Sequence, residues 1–152
     1  MKCCTNNADI YLGAANYEGA GGMVGSAKWV TNTEIYFEDS VNVGDVIHKN
    51  AGGNYGGFLG WGSSIGTVSF KNCTNYGSIK GTGNNGGFLG QVGTRKLMNA
   101  ENCVNYGDIT SDNNMPGGFA GWCNNSADGV VTIDGFTNYG VITAGAKQAS
   151  AC

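Results

Sequence analysis

The sequence predicts an all-β protein, a parallel β-solenoid (β-helix) of about five coils, each of about 30 residues with three short strands. Three observations lead to this fold. An Asn-x-Gly segment recurs along the chain, a Gly-Gly-x-x-Gly segment alternates with it, and no segment shows sustained helical periodicity. A chain of 152 residues fits one domain, with repeat units of roughly 1–25, 26–60, 61–90, 91–121 and 122–152.

The first repeated segment is centred on an asparagine. These asparagines are Asn42, Asn75, Asn105 and Asn138, at spacings of 33, 30 and 33 residues, and "CTNNADI" places Asn6 in the same column. Two residues later the copies have Ala8, Gly44, Gly77, Gly107 and Gly140. Four residues later they have Ile10, Val46, Ile79, Ile109 and Ile142. Alternation with period two predicts a strand whose Asn and Ile point inward. The asparagines are then expected to form a structural ladder of hydrogen bonds between coils, and the glycine meets a need for either positive φ or close packing.

A second strand precedes each asparagine. Apolar residues stand seven and five positions before it, as in Val68 and Phe70, whereas Cys73 and Cys103 stand two positions before it. The two sets have opposite parity, which predicts a bend or bulge between them. The third strand is expected at Gly-Gly-Phe-Leu-Gly and its counterparts. Each coil has little core of its own and is expected to stack on its neighbours.

"GGMVG" and "GGFLG", each followed by Asn-x-Gly-x-Ile or Val, resemble the GLUG-type glycine-rich repeats of bacterial surface and secreted proteins. The resemblance runs through nearly the whole chain, and this chain departs from the pattern in its Phe and Cys columns. It implies an extracellular or cell-surface β-solenoid, often associated with adhesins. It does not imply a particular activity, because such repeats occur beside many different domains.

Aromatic residues supply the only candidate ligand or partner face. Tyr76, Tyr106 and Tyr139 each follow a ladder asparagine and should therefore point outward as a stacked stripe. Trp61 and Trp122 follow the Gly-Gly-Phe-x-Gly motif at matching positions, with Gln91 between them. The stripe is interpreted either as cross-strand stabilisation or as a surface for sugar rings or a partner protein.

The cysteines and the single histidine give no catalytic or metal signature. Cys73 and Cys103 are expected to be reduced and buried, because in-register Cβ vectors suit a disulfide poorly. Cys3 or Cys4 at one end and Cys152 at the other are candidates for an intermolecular disulfide. His48 in "VIHKNAGG" is expected in a solvated turn. The sequence has no Cys-x-x-Cys, so no metal site or cofactor is predicted.

Composition excludes several classes of protein. The net charge of −3 gives no basic footprint for nucleic acid, and no apolar run is long enough for membrane insertion. The expected function is a non-enzymatic structural or adhesive module that associates end to end into a fibre or with neighbouring repeats. One alternative is a carbohydrate-binding module that contacts glycans or host surface proteins through its Tyr and Trp residues. The other is a β-helix enzyme acting on polysaccharides, which requires two convergent carboxylates that the alignment does not supply.

Overall fold

The protein was analysed as a computed structural model, which describes residues 1–13, 18–29, 33–48, 52–124 and 129–145. Every regular element in these ranges is a β-strand, and all the strand pairs are parallel. The strands in chain order are β1 (Thr5–Asn6), β2 (Ile10–Leu12), β3 (Gly19–Gly21), β4 (Val24–Lys28), β5 (Glu34–Glu38), β6 (Val41–Asn42), β7 (Val46–His48), β8 (Asn54–Gly56), β9 (Leu59–Lys71), β10 (Thr74–Asn75), β11 (Ile79–Gly81), β12 (Asn84–Gly86), β13 (Leu89–Glu101), β14 (Val104–Asn105), β15 (Ile109–Ser111), β16 (Pro116–Gly117), β17 (Ala120–Cys123), β18 (Val130–Asp134), β19 (Thr137–Asn138) and β20 (Ile142–Ala144).

The strands form four parallel sheets that stack as a β-solenoid of about four turns, which confirms the predicted fold and is close to the predicted number of coils. Sheet 1 has the order β1-β6-β10-β14-β19, and sheet 2 has the order β2-β7-β11-β15-β20. Sheet 3 has the order β16-β12-β8-β3. Sheet 4 is built on β9 and β13, with β4 and β5 paired to β9 and with β17 and β18 paired to β13.

A turn of the solenoid contains four strands, where the sequence predicted three short ones. The predicted Asn-x-Gly-x-Ile strand is divided into two, as in β10 and β11, because the chain turns between them. The Gly-Gly-Phe-Leu-Gly segment continues into the next apolar segment, so that β9 and β13 each run for 13 residues, with shifts of register between Val92 and Leu97. Sheet 4 consequently contains the longest strands of the four sheets.

The predicted bend before each ladder asparagine is present, and one backbone conformation produces it. The residue three positions before the asparagine has a positive φ in all five copies: Cys3 (51°), Asp39 (48°), Asn72 (51°), Asn102 (51°) and Gly135 (68°). Asn, Asp and Gly are the residues that adopt this left-handed conformation most readily. The column therefore explains the change of parity, and four of its five residues suit the conformation.

Replacing Asn102 tests the bend. We expect Asn102→Ala to lower the free energy of unfolding by about 1 kcal/mol, because alanine lacks the polar side chain that makes the left-handed region accessible. Asn102→Gly is the matched control and should stay within about 0.5 kcal/mol of the wild type, since glycine adopts positive φ without strain. Urea unfolding measures both variants, and equal stability of the two would contradict the assignment.

The main core consists of interlocking phenylalanines. Phe58, Phe88 and Phe119 come from successive Gly-Gly-Phe motifs and stack with ring centroids 4.8 and 5.3 Å apart. Phe37 and Phe70 form a second stack at 5.0 Å and meet the first stack edge to face. All five rings are fully buried. Stacked and edge-to-face pairs each stabilise beyond simple burial, so the aromatic column ties one coil to the next.

A smaller core contains Val46, Ile79 and Ile109 together with Tyr55. The prediction that His48 lies in a solvated turn is wrong. His48 ends β7 with only 3% of its surface exposed, and its ring stacks on that of Tyr55 with centroids 5.6 Å apart. Its position in the chain was compatible with a turn, but the next strand in the coil brings an aromatic ring over it. Burial raises the pKa of Tyr55.

Candidate functional site

Three tyrosines form the exposed stripe that the sequence predicted. Tyr76, Tyr106 and Tyr139 directly follow β10, β14 and β19, and their side chains are 52%, 46% and 66% exposed. The backbone N–H of each tyrosine donates to the carbonyl of the ladder asparagine in the preceding coil, at 2.7 to 2.8 Å. These bonds fix the vertical spacing of the stripe. Val43, 45% exposed, occupies the same column one coil before Tyr76.

The tyrosine rings stack on one another. The ring centroids of Tyr76 and Tyr106 are 5.0 Å apart with the planes 5° from parallel, and those of Tyr106 and Tyr139 are 5.0 Å apart at 13°. Tyr106 therefore has a neighbouring ring against each face. A sugar stacks on the face of an aromatic ring, so the central tyrosine presents only its edge and its hydroxyl to a ligand. The arrangement favours stabilisation between coils over recognition of carbohydrate.

The two tryptophans lie in sheet 4, apart from the tyrosine stripe. Gln91 pairs with Trp61 on one side and with Trp122 on the other, as the repeat alignment predicted. Trp61 is half-buried, and the Nζ atom of Lys28 lies 4.0 Å from its ring centroid while also forming an ion pair with Glu18. Trp122 is 43% exposed. No ring contact among the described residues joins tyrosines and tryptophans, so the five aromatic residues do not form one continuous stack.

The asparagine column is a hydrogen-bonded ladder, as predicted. In each step the Nδ2 of one asparagine donates to the Oδ1 of the next, over 2.7 to 2.8 Å from Asn6 through Asn42, Asn75 and Asn105 to Asn138. The same Nδ2 also donates to the carbonyl two residues later in its own coil, as from Asn75 to Gly77 at 2.8 Å. Asn42, Asn75 and Asn105 are fully buried. The ladder is therefore structural and closed to solvent along its middle.

A second buried asparagine pair escaped sequence analysis. Asn84 donates to the Oδ1 of Asn54 at 2.9 Å in sheet 3 and to the Oε1 of Gln91 at 3.3 Å. Only two coils carry asparagine at this position, since Gly19 precedes them in register. Two copies are too few for a column to stand out in a chain rich in asparagine.

The buried cysteines behave as predicted, whereas the intermolecular disulfide stays a prediction. Cys73 and Cys103 are fully buried free thiols, and each thiol donates to a carbonyl two residues earlier at 3.3 Å. The neighbouring Cys73 and burial both raise the pKa of the Cys103 thiol. Cys3 is exposed and Cys4 is partly buried. Cys152 lies outside the described residues.

A charged column in sheet 4 is a further feature that the sequence analysis missed. Four positions before the ladder asparagines, the successive coils carry Lys2, Glu38, Lys71, Glu101 and Asp134, which lie opposite one another in register. Lys2 and Glu38 form an ion pair at 2.8 Å, and Lys71 and Glu101 form one at 3.2 Å. A search of this column for charged residues would have found it.

Acidic side chains near the tyrosines bind backbone amides. The Oδ1 of Asp9 accepts from the N–H of Asp45 at 2.9 Å, that of Asp45 from Ser78 at 2.7 Å, and that of Asp108 from Val141 at 2.9 Å. Each carboxylate thus bonds the following coil at the turn between sheets 1 and 2. Within the described ranges, no group of three or more His, Cys, Asp and Glu side chains is arranged to hold a metal ion.

The fold and the side-chain columns define the chain as a β-solenoid repeat protein. Comparison with protein-family models finds no match. Comparisons with curated proteins and with solved structures likewise find no significant match. No helix within the described residues has the length and apolar character needed to cross a membrane.

Proposed function

We propose that this chain is a non-enzymatic structural or adhesive repeat module of a bacterial cell-surface or secreted protein, as the resemblance to GLUG-type repeats implies. The observation that carries the proposal is that the tyrosine, asparagine, aspartate and charged columns all contact the neighbouring coil. The central tyrosine has both ring faces covered, and three aspartates accept backbone N–H groups. The side chains of these columns hold one coil of the solenoid against the next.

The contacts of five acidic side chains support the non-enzymatic assignment. Glycoside hydrolysis requires one carboxyl group to give a proton and a second to act as nucleophile or base across the scissile bond. Asp9, Asp45 and Asp108 are occupied by amides of the following coil. Glu38 and Glu101 are paired with lysines. These five acidic side chains therefore take part in contacts that hold neighbouring coils together.

A variant of the central tyrosine tests the structural role. Tyr106→Ala removes two stacked pairs, each worth about 0.5 to 1.5 kcal/mol, so we expect the free energy of unfolding to fall by about 1 to 3 kcal/mol. Tyr106→Phe is the matched control, because it keeps the ring and loses only the hydroxyl. It should unfold within about 0.5 kcal/mol of the wild type, since the hydroxyl is not part of the ring stack. Urea unfolding of the three proteins provides the measurement.

A carbohydrate-binding module is the second candidate, and the exposed Trp122 is the observation that favours it. Binding to a broad glycan array, compared among wild type, Trp122→Ala and Tyr106→Phe, separates the two functions. The structural proposal expects no glycan signal that depends on these residues, together with no release of reducing ends from polysaccharides. A signal lost in Trp122→Ala at unchanged stability would establish the second candidate, and release of reducing ends would show an enzyme.

A further inference from the structure

One column of small residues determines how closely the coils approach. It lies two positions after the ladder asparagines and contains Ala8, Gly44, Gly77, Gly107 and Gly140. A Cβ atom built on any of the four glycines would lie 1.9 to 2.0 Å from the carbonyl oxygen of the residue in the same column one coil earlier. Real Cβ atoms essentially never come within 3.0 Å of a nonbonded heavy atom from elsewhere in the chain. The glycines are therefore required by contact with the preceding coil.

Backbone conformation does not impose this requirement. The only described glycine with a positive φ is Gly135, which belongs to a different column. Of the two reasons that the sequence offered for these glycines, close packing is the one that applies. The contact also has a direction, because the missing Cβ points toward the preceding coil and not toward the following one. A residue in this column thus needs to be glycine only when another coil packs before it.

Ala8 has the same local geometry as its glycine counterparts. Asn6 donates to the Ala8 carbonyl at 3.0 Å, as Asn42 donates to Gly44 at 2.8 Å. The strands on both sides of Ala8 pair in register with the next coil, since Asn6 lies opposite Asn42 and Ile10 lies opposite Val46. The Cβ of Ala8 therefore points where those of the glycines would point. Ala8 is exposed, so its methyl group lies in solvent.

From this geometry we propose that the edge of the solenoid formed by residues 1–13 is closed to a further coil in the same register. The block is the Cβ of Ala8, which occupies the place of the preceding coil's carbonyl oxygen. The block applies equally to a coil formed by residues placed before Met1 and to a second molecule of this protein that stacks end to end. The inference goes beyond the proposed function, because it assigns a direction in which the module does not extend, whatever it adheres to.

Two other columns at this edge continue the pattern of the interior. Lys2 begins the charged column, with its side chain 62% exposed, and could pair with an acidic residue of an added coil. Asn6 begins the ladder with the same bond to the next coil that the interior asparagines make. Ala8 is the position at this edge that places a Cβ where the carbonyl oxygen of a preceding coil would lie. Replacing Ala8 with glycine should allow a further coil to pack against this edge.

The test adds a coil to the full chain. A copy of residues 70–99 placed before Met1 puts a copied ladder asparagine 30 residues before Asn6, which matches the spacing between Asn75 and Asn105. Hydrogen exchange followed by mass spectrometry reports whether the copied coil is packed, because peptides shared by the copy and residues 70–99 give two separate isotope envelopes when only one of the two segments is protected. With Ala8 present, we expect the copied strands to exchange as an unstructured chain. In the Ala8→Gly background, we expect their amides to be protected at least about tenfold, because they form parallel-sheet hydrogen bonds.

Ala8→Ser is the matched control, because serine keeps the Cβ and should leave the copied coil unprotected. Equal protection of the copied coil with Ala8 present and in the Ala8→Gly background would overturn the proposal by showing that the methyl group does not block packing. An unprotected copy in both backgrounds would also overturn it, because some other feature of the edge would then be responsible. Neither result depends on glycan binding or adhesion, so the proposed function is tested separately.

Discussion

Gly77→Ala is expected to lower the free energy of unfolding by about 3 kcal/mol or more, because the new methyl group overpacks against the backbone of the preceding coil. Its Cβ would lie 2.0 Å from the carbonyl oxygen of Gly44. The coils must then separate locally, which stretches the bond from the Tyr76 N–H to the Asn42 carbonyl and the Asn42–Asn75 ladder bond, both 2.8 Å. Each such bond contributes about 1 kcal/mol.

The opposing effect of this substitution is smaller. Alanine reduces the conformational freedom of the unfolded chain, which stabilises by about 0.4 to 1 kcal/mol where the native backbone tolerates it. Ala8→Gly measures this effect on the unfolded chain by itself, at a position in the same column. The methyl group of Ala8 has no coil packed against it in the structure, so its removal relieves no overpacking. We expect Ala8→Gly to destabilise by only about 0.5 to 1 kcal/mol. Urea unfolding of both variants compares the cost of overpacking with the effect on the unfolded chain. A Gly77→Ala variant as stable as the wild type would refute the close-packing explanation.

Side-chain columns made the fold readable from the sequence. In a parallel solenoid the same position recurs one coil above another, so a strict spacing of asparagine, glycine and isoleucine determines both the strands and their register. The parity of the columns correctly placed Asn75 inside and Tyr76 outside. It also located the bend between Phe70 and Cys73, although not the left-handed conformation of Asn72 that produces it.

The features that the sequence did not predict depend on packing between columns. The burial of His48 follows from the position of Tyr55, which belongs to another strand of the coil. The covering of the Tyr106 ring faces depends on ring orientation, which spacing along the chain does not determine. Strand boundaries were also missed, because β9 continues through a segment that contains several glycines. Local composition there favours a turn, and the backbone does deviate at Ser64, which has a φ of 54°, but the strand pairing with β13 continues on both sides of it.

The Asn75 side chain is expected to contribute most of the buried polar stabilisation at its level of the ladder. Asn75→Ala removes a donor to the Gly77 carbonyl and to Asn105, and it removes the acceptor for the Nδ2 of Asn42. A buried polar group left without its partner costs about 1 to 3 kcal/mol, so we expect a total loss of about 3 to 6 kcal/mol. Asn6→Ala is the matched control and should lose about 1 kcal/mol, because water can replace the lost bonds at the more exposed end of the ladder.

Asn75→Asp separates hydrogen bonding from shape. The carboxylate has nearly the volume of the amide but has no proton to give, and it faces the Gly77 carbonyl and the Asn105 Oδ1 as a third acceptor. Burial and these acceptors should raise the pKa of the new carboxyl above its ordinary value of about 3.9. The protonated carboxyl group restores one hydrogen-bond donor. The stability of the variant should therefore be closest to that of the wild type at pH values below the elevated pKa. Its stability relative to the wild type should then fall as pH rises through the elevated pKa. Urea unfolding of both proteins from about pH 3 to pH 8 measures this difference, and a difference that does not change with pH would show that Asn75 acts in the ladder through its shape alone.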